Sequence, residues 1–266
     1  MSNKLKFSSF GSGTPLVFIH GWGVNSAVWQ PIIEPLAKHY QVITIDLPGF
    51  GENAHVQLDD YSLANIANLI VQSIGKPAVY VGWSLGGLVA SEITLLMPTQ
   101  VLALCTVASS PCFMAQDDWP AIKPEVLKGF HQQLAENPAL TIKGFLKIQA
   151  MGSPNVRHDI KVINDLVMQY PMPEKDILDK SLSLLETTDQ RLNLTDIAQP
   201  FLRLYGRLDG LVPRQVVKKI DQLAPHSQSH IFLQASHAPF ISEPEEFSAH
   251  LHAWLLTQNL VIANVR

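Results

Sequence analysis

Six short runs of continuously apolar residues dictate most of what this chain can fold into. They are LVFIH (Leu16 to His20), VITIDLP (Val42 to Pro48), AVYVGW (Ala78 to Trp83), VLALCTV (Val101 to Val107), FLRLYG (Phe201 to Gly206) and HIFLQA (His230 to Ala235). A strand with one wet face alternates apolar and polar side chains. A strand that does not alternate is covered on both faces, as in parallel sheets packed between helices. Helical stretches lie between the runs, for example Tyr61 to Ile74 and Ser84 to Leu96. Strand, helix and strand in repetition predict an α/β domain with a mostly parallel central sheet flanked by helices.

The rhythm breaks between Pro111 and Glu186. Four helical patterns follow one another there with no strand between them. Pro124 opens the first and Pro138 the second, a favourable first-turn position for proline. Asn155 to Gln169 makes the third; Pro171 and Pro173 stop it, and Lys175 to Glu186 makes the fourth. The expected organisation is a core of residues 1–110 and 187–266 interrupted by an all-helical cap, 111–186. Such a cap is expected over the carboxyl edge of the sheet, where open parallel sheets bind ligands.

Composition narrows the function classes. A net charge of -4 gives no electrostatic case for nucleic acid as a partner. Two cysteines, Cys105 and Cys112, read as reduced thiols rather than a disulfide framework. The opening stretch, MSNKLKFSSFGSG, has no apolar segment of a leader, and no apolar run reaches the length of a membrane span. A cytoplasmic, monomeric protein is expected.

The chemistry gathers where strands end. Gly82-Trp83-Ser84-Leu85-Gly86 matches G-x-S-x-G. By composition alone about one chain in ten of this length would contain that pattern. Here it follows a predicted strand and opens a predicted helix, as a nucleophile elbow must. A serine hydroxyl needs a base to take its proton. His237, in Ala235-Ser236-His237-Ala238-Pro239, follows the last predicted strand, whereas His39, His55, His131, His158, His226, His230, His250 and His252 read as surface residues. Asp209 ends the run Phe201 to Asp209 and falls between Ser84 and His237 in the order Ser, acid, His. It would accept the second N–H of the imidazole. Asp46 is the rival acid, but it stands before the serine and breaks that order. After the first apolar run, His20-Gly21-Trp22-Gly23 forms an H-G-x-G turn, with the N–H groups of Trp22 and Leu85 as candidate oxyanion donors. No HExxH, paired-cysteine spacing or dinucleotide glycine motif is present, so neither a metal nor another cofactor is expected.

Together these pieces resemble the α/β-hydrolase superfamily over the whole chain. More closely, His20 to Gly23, Asp46-Leu47-Pro48-Gly49-Phe50-Gly51, Gly82 to Ser91, Val107 to Phe113, Leu208 to Arg214 and His237 to Ser242 resemble the carboxylesterases of biotin synthesis. That family hydrolyses the methyl ester of pimeloyl-[acyl-carrier protein]. The resemblance implies the α/β-hydrolase fold and substrate contacts at Trp22, Ser84, Leu85, Phe145, Leu146, Lys147, Ile148, Gln149 and His237. It also implies an acidic carrier protein as partner. Lys143, Lys147, Arg157, His158 and Lys161 supply a positive face on two adjacent cap helices. Leu140 and Gly144 stand where the family pattern has arginine.

Phe130, Phe145, Leu146, Ile148, Met151, Met168 and Met172 are candidates to line an acyl channel, or to form the packing core of the cap. Two other functions stay open: a broad esterase of short acyl chains, and a non-catalytic binding protein of the same fold. A dehalogenase would carry aspartate in place of Ser84, and the basic cap helices disfavour an aminopeptidase.

Overall fold

A computed structural model describes residues 4–260. Met1 to Asn3 of the opening stretch and residues 261–266 at the end of the expected core segment lie outside them. In chain order the strands are β1 (Phe7–Gly11), β2 (Pro15–Ile19), β3 (Gln41–Ile45), β4 (Ala78–Trp83), β5 (Val101–Val107), β6 (Phe201–Gly206) and β7 (Gln228–Phe232). The helices are α1 (Gln30–Ala37), α2 (Leu63–Ile74), α3 (Leu85–Leu96), α4 (Pro124–Glu136), α5 (Pro138–Ala150), α6 (Val156–Val167), α7 (Lys175–Thr187), α8 (Gln215–Leu223), α9 (Pro239–Ser242) and α10 (Pro244–Thr257).

The strands form one sheet in the order β1-β3-β2-β4-β5-β6-β7. All neighbours are parallel except β1, which pairs antiparallel with β3 from Phe7↔Ile45 to Gly11↔Gln41. The six apolar runs are the six parallel strands, and every residue of β4 and β6 is buried. β1 escaped the sequence reading because it is an edge strand with little to bury. The runs beginning at Val42 and His230 end earlier in the structure, at Ile45 and Phe232, and their last residues turn into the loops above the sheet.

The helices follow from local chemistry. In α2, Leu63, Ile66, Ala67, Ile70, Val71 and Ile74 recur at the helical period and are buried. Each large aliphatic side chain so buried contributes roughly 1.5–3 kcal/mol. Ser62 caps its first turn by accepting from the Asn65 N–H, and Gly75 ends it at φ 68°, a left-handed conformation that glycine adopts freely. In α5, Asn137 caps the Leu140 N–H and Pro138 takes the first turn.

Strand order also positions the site. The chain runs from β2 outward to β3, then returns past β2 to β4. The connections leaving β2 and β4 therefore diverge between adjacent strands and open a crevice at their carboxyl ends. The 20–25 loop and Ser84 meet there. Between β5 and β6 the chain makes α4, α5, α6 and α7, which pack on one another: α4 against α5 and α7, and α5 against α6.

Candidate active site

Ser84 sits between β4 and α3 at φ 54° and ψ −116°, a strained backbone for a residue with a side chain. The turn closes because glycine flanks it. A Cβ on Gly82 would lie 2.0 Å from the Gly86 carbonyl oxygen, and one on Gly86 would lie 2.3 Å from that of Ile19. Three bonds fix the serine backbone: its N–H donates to Val107 O at 2.9 Å, and its carbonyl accepts from Gly87 N–H at 2.9 Å and Ser109 Oγ at 2.8 Å.

His237 and Asp209 come together across two loops. The imidazole Nδ1 lies 2.8 Å from Asp209 Oδ2, with both side chains wholly buried. Asp209 Oδ1 accepts from the Leu211 and Val212 N–H groups at 2.8 and 3.0 Å. Two main-chain donors thus hold the carboxylate oriented toward the ring. His237 Nε2 is buried and has no hydrogen-bond partner among the described residues, the Ser84 hydroxyl included. Hydrogen bonds of this kind are commonly long in an unliganded site and shorten when substrate seats. The main chain of His237 is bracketed as well: its N–H donates to Gln149 O in the cap at 3.0 Å, and its carbonyl accepts from Trp83 Nε1 at 2.7 Å.

Asp46, the rival acid, is engaged elsewhere. Its carboxylate accepts from Ser26 N–H at 2.6 Å and Glu52 N–H at 2.8 Å, stitching two loops. His20 organises the loop after β2. Leu47 N–H donates to its Nε2 at 3.0 Å, which makes Nδ1 the protonated nitrogen, and Nδ1 donates to Gly21 O at 2.8 Å. Burial holds His20 below its ordinary pKa, against the opposing pull of Asp46. In a trans peptide the Trp22 N–H points away from the Gly21 carbonyl, and so away from the His20 ring. Gly21 itself packs on Ser84: a Cβ there would lie 3.2 Å from Ser84 Cβ. Neither the Trp22 nor the Leu85 N–H makes a hydrogen bond among the described residues. Two free donors thus adjoin the serine, one of them at the N-terminus of α3.

The cap closes over this arrangement, leaving Ser84 only 2% exposed. Trp22 donates its indole N–H to Leu178 O at 2.9 Å and meets Phe145 edge-on at 4.8 Å; Phe145 in turn meets Phe130 at 5.6 Å. Against the 20–25 loop lies an apolar pocket of about 70 Å³, bounded by Gly23, Ile142, Leu146, Val167, Met168 and Met172.

The candidate contacts along α5 divide by helix geometry. Phe145, Leu146 and Gln149 face inward, and the Gln149 carboxamide is buried with neither polar atom partnered. Lys147 is exposed, and Ile148 borders a separate surface depression with Met151 and Leu211. These two do not face Ser84, because five consecutive helical residues sweep more than a full turn. Of the candidate channel residues, Leu146, Met168 and Met172 line the pocket, whereas Phe130 and Phe145 are packed in the cap.

Lys143, Lys147, Arg157, His158 and Lys161 are all exposed on the packed pair α5 and α6, with Lys161 joined to Asp165 at 2.5 Å. Leu140 is 65% exposed, and Gly144 has open space beyond it. Cys105 and Cys112 are buried and unbridged, and burial pushes the Cys105 thiol far up. The other eight histidines are exposed or half-buried. Sequence reasoning missed the braces on His237. Trp83, inside the G-x-S-x-G motif, was in view, but nothing local links it to residue 237.

The chain belongs to the alpha/beta hydrolase fold family, whose profile it matches over residues 14–244. Among solved structures it is similar to an esterase from Exiguobacterium antarcticum, with a TM-score of 0.82, 21% identity and coverage of 95% of each chain. It is similar to a bromoperoxidase from Bacillus anthracis, with a TM-score of 0.80, 18% identity and coverage of 94% of each chain. It is also similar to an enol-lactonase from Burkholderia xenovorans, with a TM-score of 0.80, 16% identity and coverage of 95% of this chain and 96% of that one. Three different activities on one backbone leave the chemistry to be argued from the residues. Among the described residues no helix is long and apolar enough to cross a membrane.

Proposed function

We propose that this chain is a serine carboxylesterase. The observation that carries the reading is the His237–Asp209 pair, with its unpartnered Nε2, on a loop bonded to Trp83, the residue before a serine held in a strained elbow. His237 takes the Ser84 proton as Oγ attacks the ester carbonyl. The Trp22 and Leu85 N–H groups receive the oxyanion, and removing one such donor typically lowers the rate ~10²–10³-fold. His237 then protonates the departing alcohol, and water, activated by the same base, releases the acid. Asp209 keeps the correct tautomer and stabilises the imidazolium.

The substrate we infer is the methyl ester of pimeloyl-[acyl-carrier protein], with methanol and the free carboxylate as products. Supporting it are the motif resemblance, the apolar pocket beneath α5 and α6, and the basic face those helices present. Steering by such a face depends on charge and weakens with salt. A second reading, a broad esterase of short acyl chains, is favoured by Leu140 and Gly144, which thin the positive charge on that face. The test is turnover of the carrier-bound methyl ester beside p-nitrophenyl butyrate, with Ser84→Ala as control. Preference for the carrier-bound ester, lost when Lys143, Lys147, Arg157 and Lys161 are changed to glutamate, supports the first reading. Cleavage of the small ester alone selects the second. Activity surviving in Ser84→Ala removes both.

A further inference from the structure

The cap does more than cover the site, because it is laced to the loop that carries His237. His237 N–H donates to Gln149 O at 3.0 Å, and Ser236 Oγ donates to Met151 O at 2.7 Å. Farther along both segments, Ser242 Oγ at the end of α9 donates to Asp159 Oδ2 at 2.9 Å. The same carboxylate oxygen accepts from Ser153 Oγ at 2.6 Å, and Ser153 Oγ also receives the Asn155 N–H at 3.1 Å. Cap residues 149–159 and core residues 236–242 are therefore joined at three places, with His237 at one end and Asp159 at the other.

We propose that Asp159 and Ser242 are positioning residues for His237, holding the α9 loop, and with it the imidazole, at a fixed height above Ser84. The proposal rests on the reading of His237 as the base. Asp159 is 2% exposed, and its side-chain partners are two serine hydroxyls. A buried carboxylate served by neutral hydroxyls is a poor way to gain stability, since an apolar pair of the same volume would avoid the desolvation of a charge. What it supplies is directional geometry. The rest of α9 is already anchored in the core by Phe240, which packs on Trp29 at 4.2 Å and on Trp83 at 5.0 Å. The Asp159 bond adds a directional tie at the C-terminal end of α9, five residues along the chain from His237.

The test compares Ser242→Ala, Ser242→Thr, Asp159→Asn and the double variant Asp159→Asn/Ser242→Ala with the parent protein. Four quantities are read: kcat and KM on p-nitrophenyl butyrate, the second-order rate of Ser84 labelling by a fluorophosphonate, and the melting temperature. Ser242→Ala and Asp159→Asn are each expected to lower kcat and the labelling rate together by about tenfold at unchanged KM. Ser242→Thr keeps the hydroxyl and restores the rate. The double variant is no slower than the slower single, because both changes break one link. If Asp159→Asn does not fold, Ser242→Ala, which deletes one half-buried hydroxyl, decides alone. A lower melting temperature with parental kcat per labelled site overturns the proposal, as does a rise in KM alone. Loss of turnover in Ser84→Ala, run alongside, shows that such a failure belongs to the tether and not to the serine–histidine reading.

Discussion

The indole N–H of Trp83 donates to the carbonyl oxygen of His237 at 2.7 Å, so the residue immediately before Ser84 grips the loop that carries His237. The backbone around Ser84 and the loop of His237 are thereby tied to each other through the core. Trp83→Phe keeps a ring against Phe240 but deletes the donor. A buried carbonyl left unpaired costs about 1–3 kcal/mol, so kcat should fall roughly five- to a hundredfold if that energy appears as lost alignment. Steady-state kinetics beside thermal melting checks it; parental kcat in a merely less stable protein would reject the loss of alignment.

Asp209→Asn should leave the fold intact and lower kcat by about 10⁴-fold. The carboxamide oxygen can still accept the Leu211 and Val212 N–H groups. Its NH₂ would then face Nδ1 and force the proton onto Nε2, where the base must be free. Near-parental turnover would return the role to another acid, with Asp46→Asn as the next variant.

Phe145→Ala should act in two directions. Truncating a buried phenylalanine destabilises by about 3–5 kcal/mol, seen as a lower melting temperature. The same change removes the ring between Trp22 and Phe130 and opens space against Trp22. Esters with long or branched acyl groups should be turned over faster relative to p-nitrophenyl acetate. An unchanged ratio across an ester series would show that Phe145 does not restrict entry.

Gly144→Arg should be a gain on both counts. Glycine inside a helix costs about 1 kcal/mol relative to good helix formers, and the position has open space. The melting temperature should rise slightly, and KM for a carrier-bound ester should fall at low salt and converge with the parent at high salt. No salt-dependent change in KM would count against docking of a carrier protein on this face.

Acid should weaken the fold in a defined window. Burial lowers the pKa of His20, His250 and His252 from 6.5, aided for the last two by their neighbours His230 and His39. Below about pH 6.5 the unfolded chain takes up protons that the folded chain refuses, so stability is full above that value and declines as pH drops. Melting temperatures between pH 8 and 5 should follow that course. His250→Leu should flatten part of the slope, and an unchanged slope would remove His250 from the account.

The inner strands and the elbow were legible because a strand buried on both faces leaves a continuous apolar run, and glycine is the only residue that fits at 82 and 86; β7, at the other edge, is only partly buried, contrary to what its run implied. β1 was not legible, because an edge strand with Phe7 and Phe10 partly in solvent leaves no such run. α1 hid behind Pro31 and Pro35. In the candidate site, Ser84, Asp209, His237, Trp22 and Leu85 stand out in the sequence because each follows a strand end. The inward half of α5 was not: Lys147 and Ile148 lie between Phe145 and Gln149 in sequence but on another side of the helix. The braces on His237 reach Trp83, 154 residues away, and no local pattern encodes such pairs.

The bond from the His237 amide to the Gln149 carbonyl also bears on how proteins of this architecture diversify. A cap that is only a cover can be exchanged, lengthened or lost, with consequences for which molecules enter. Here one carbonyl of the cap is part of the seat of the imidazole. A grafted cap from another lineage would have to place an acceptor at that same point, or the chimera would carry a displaced His237.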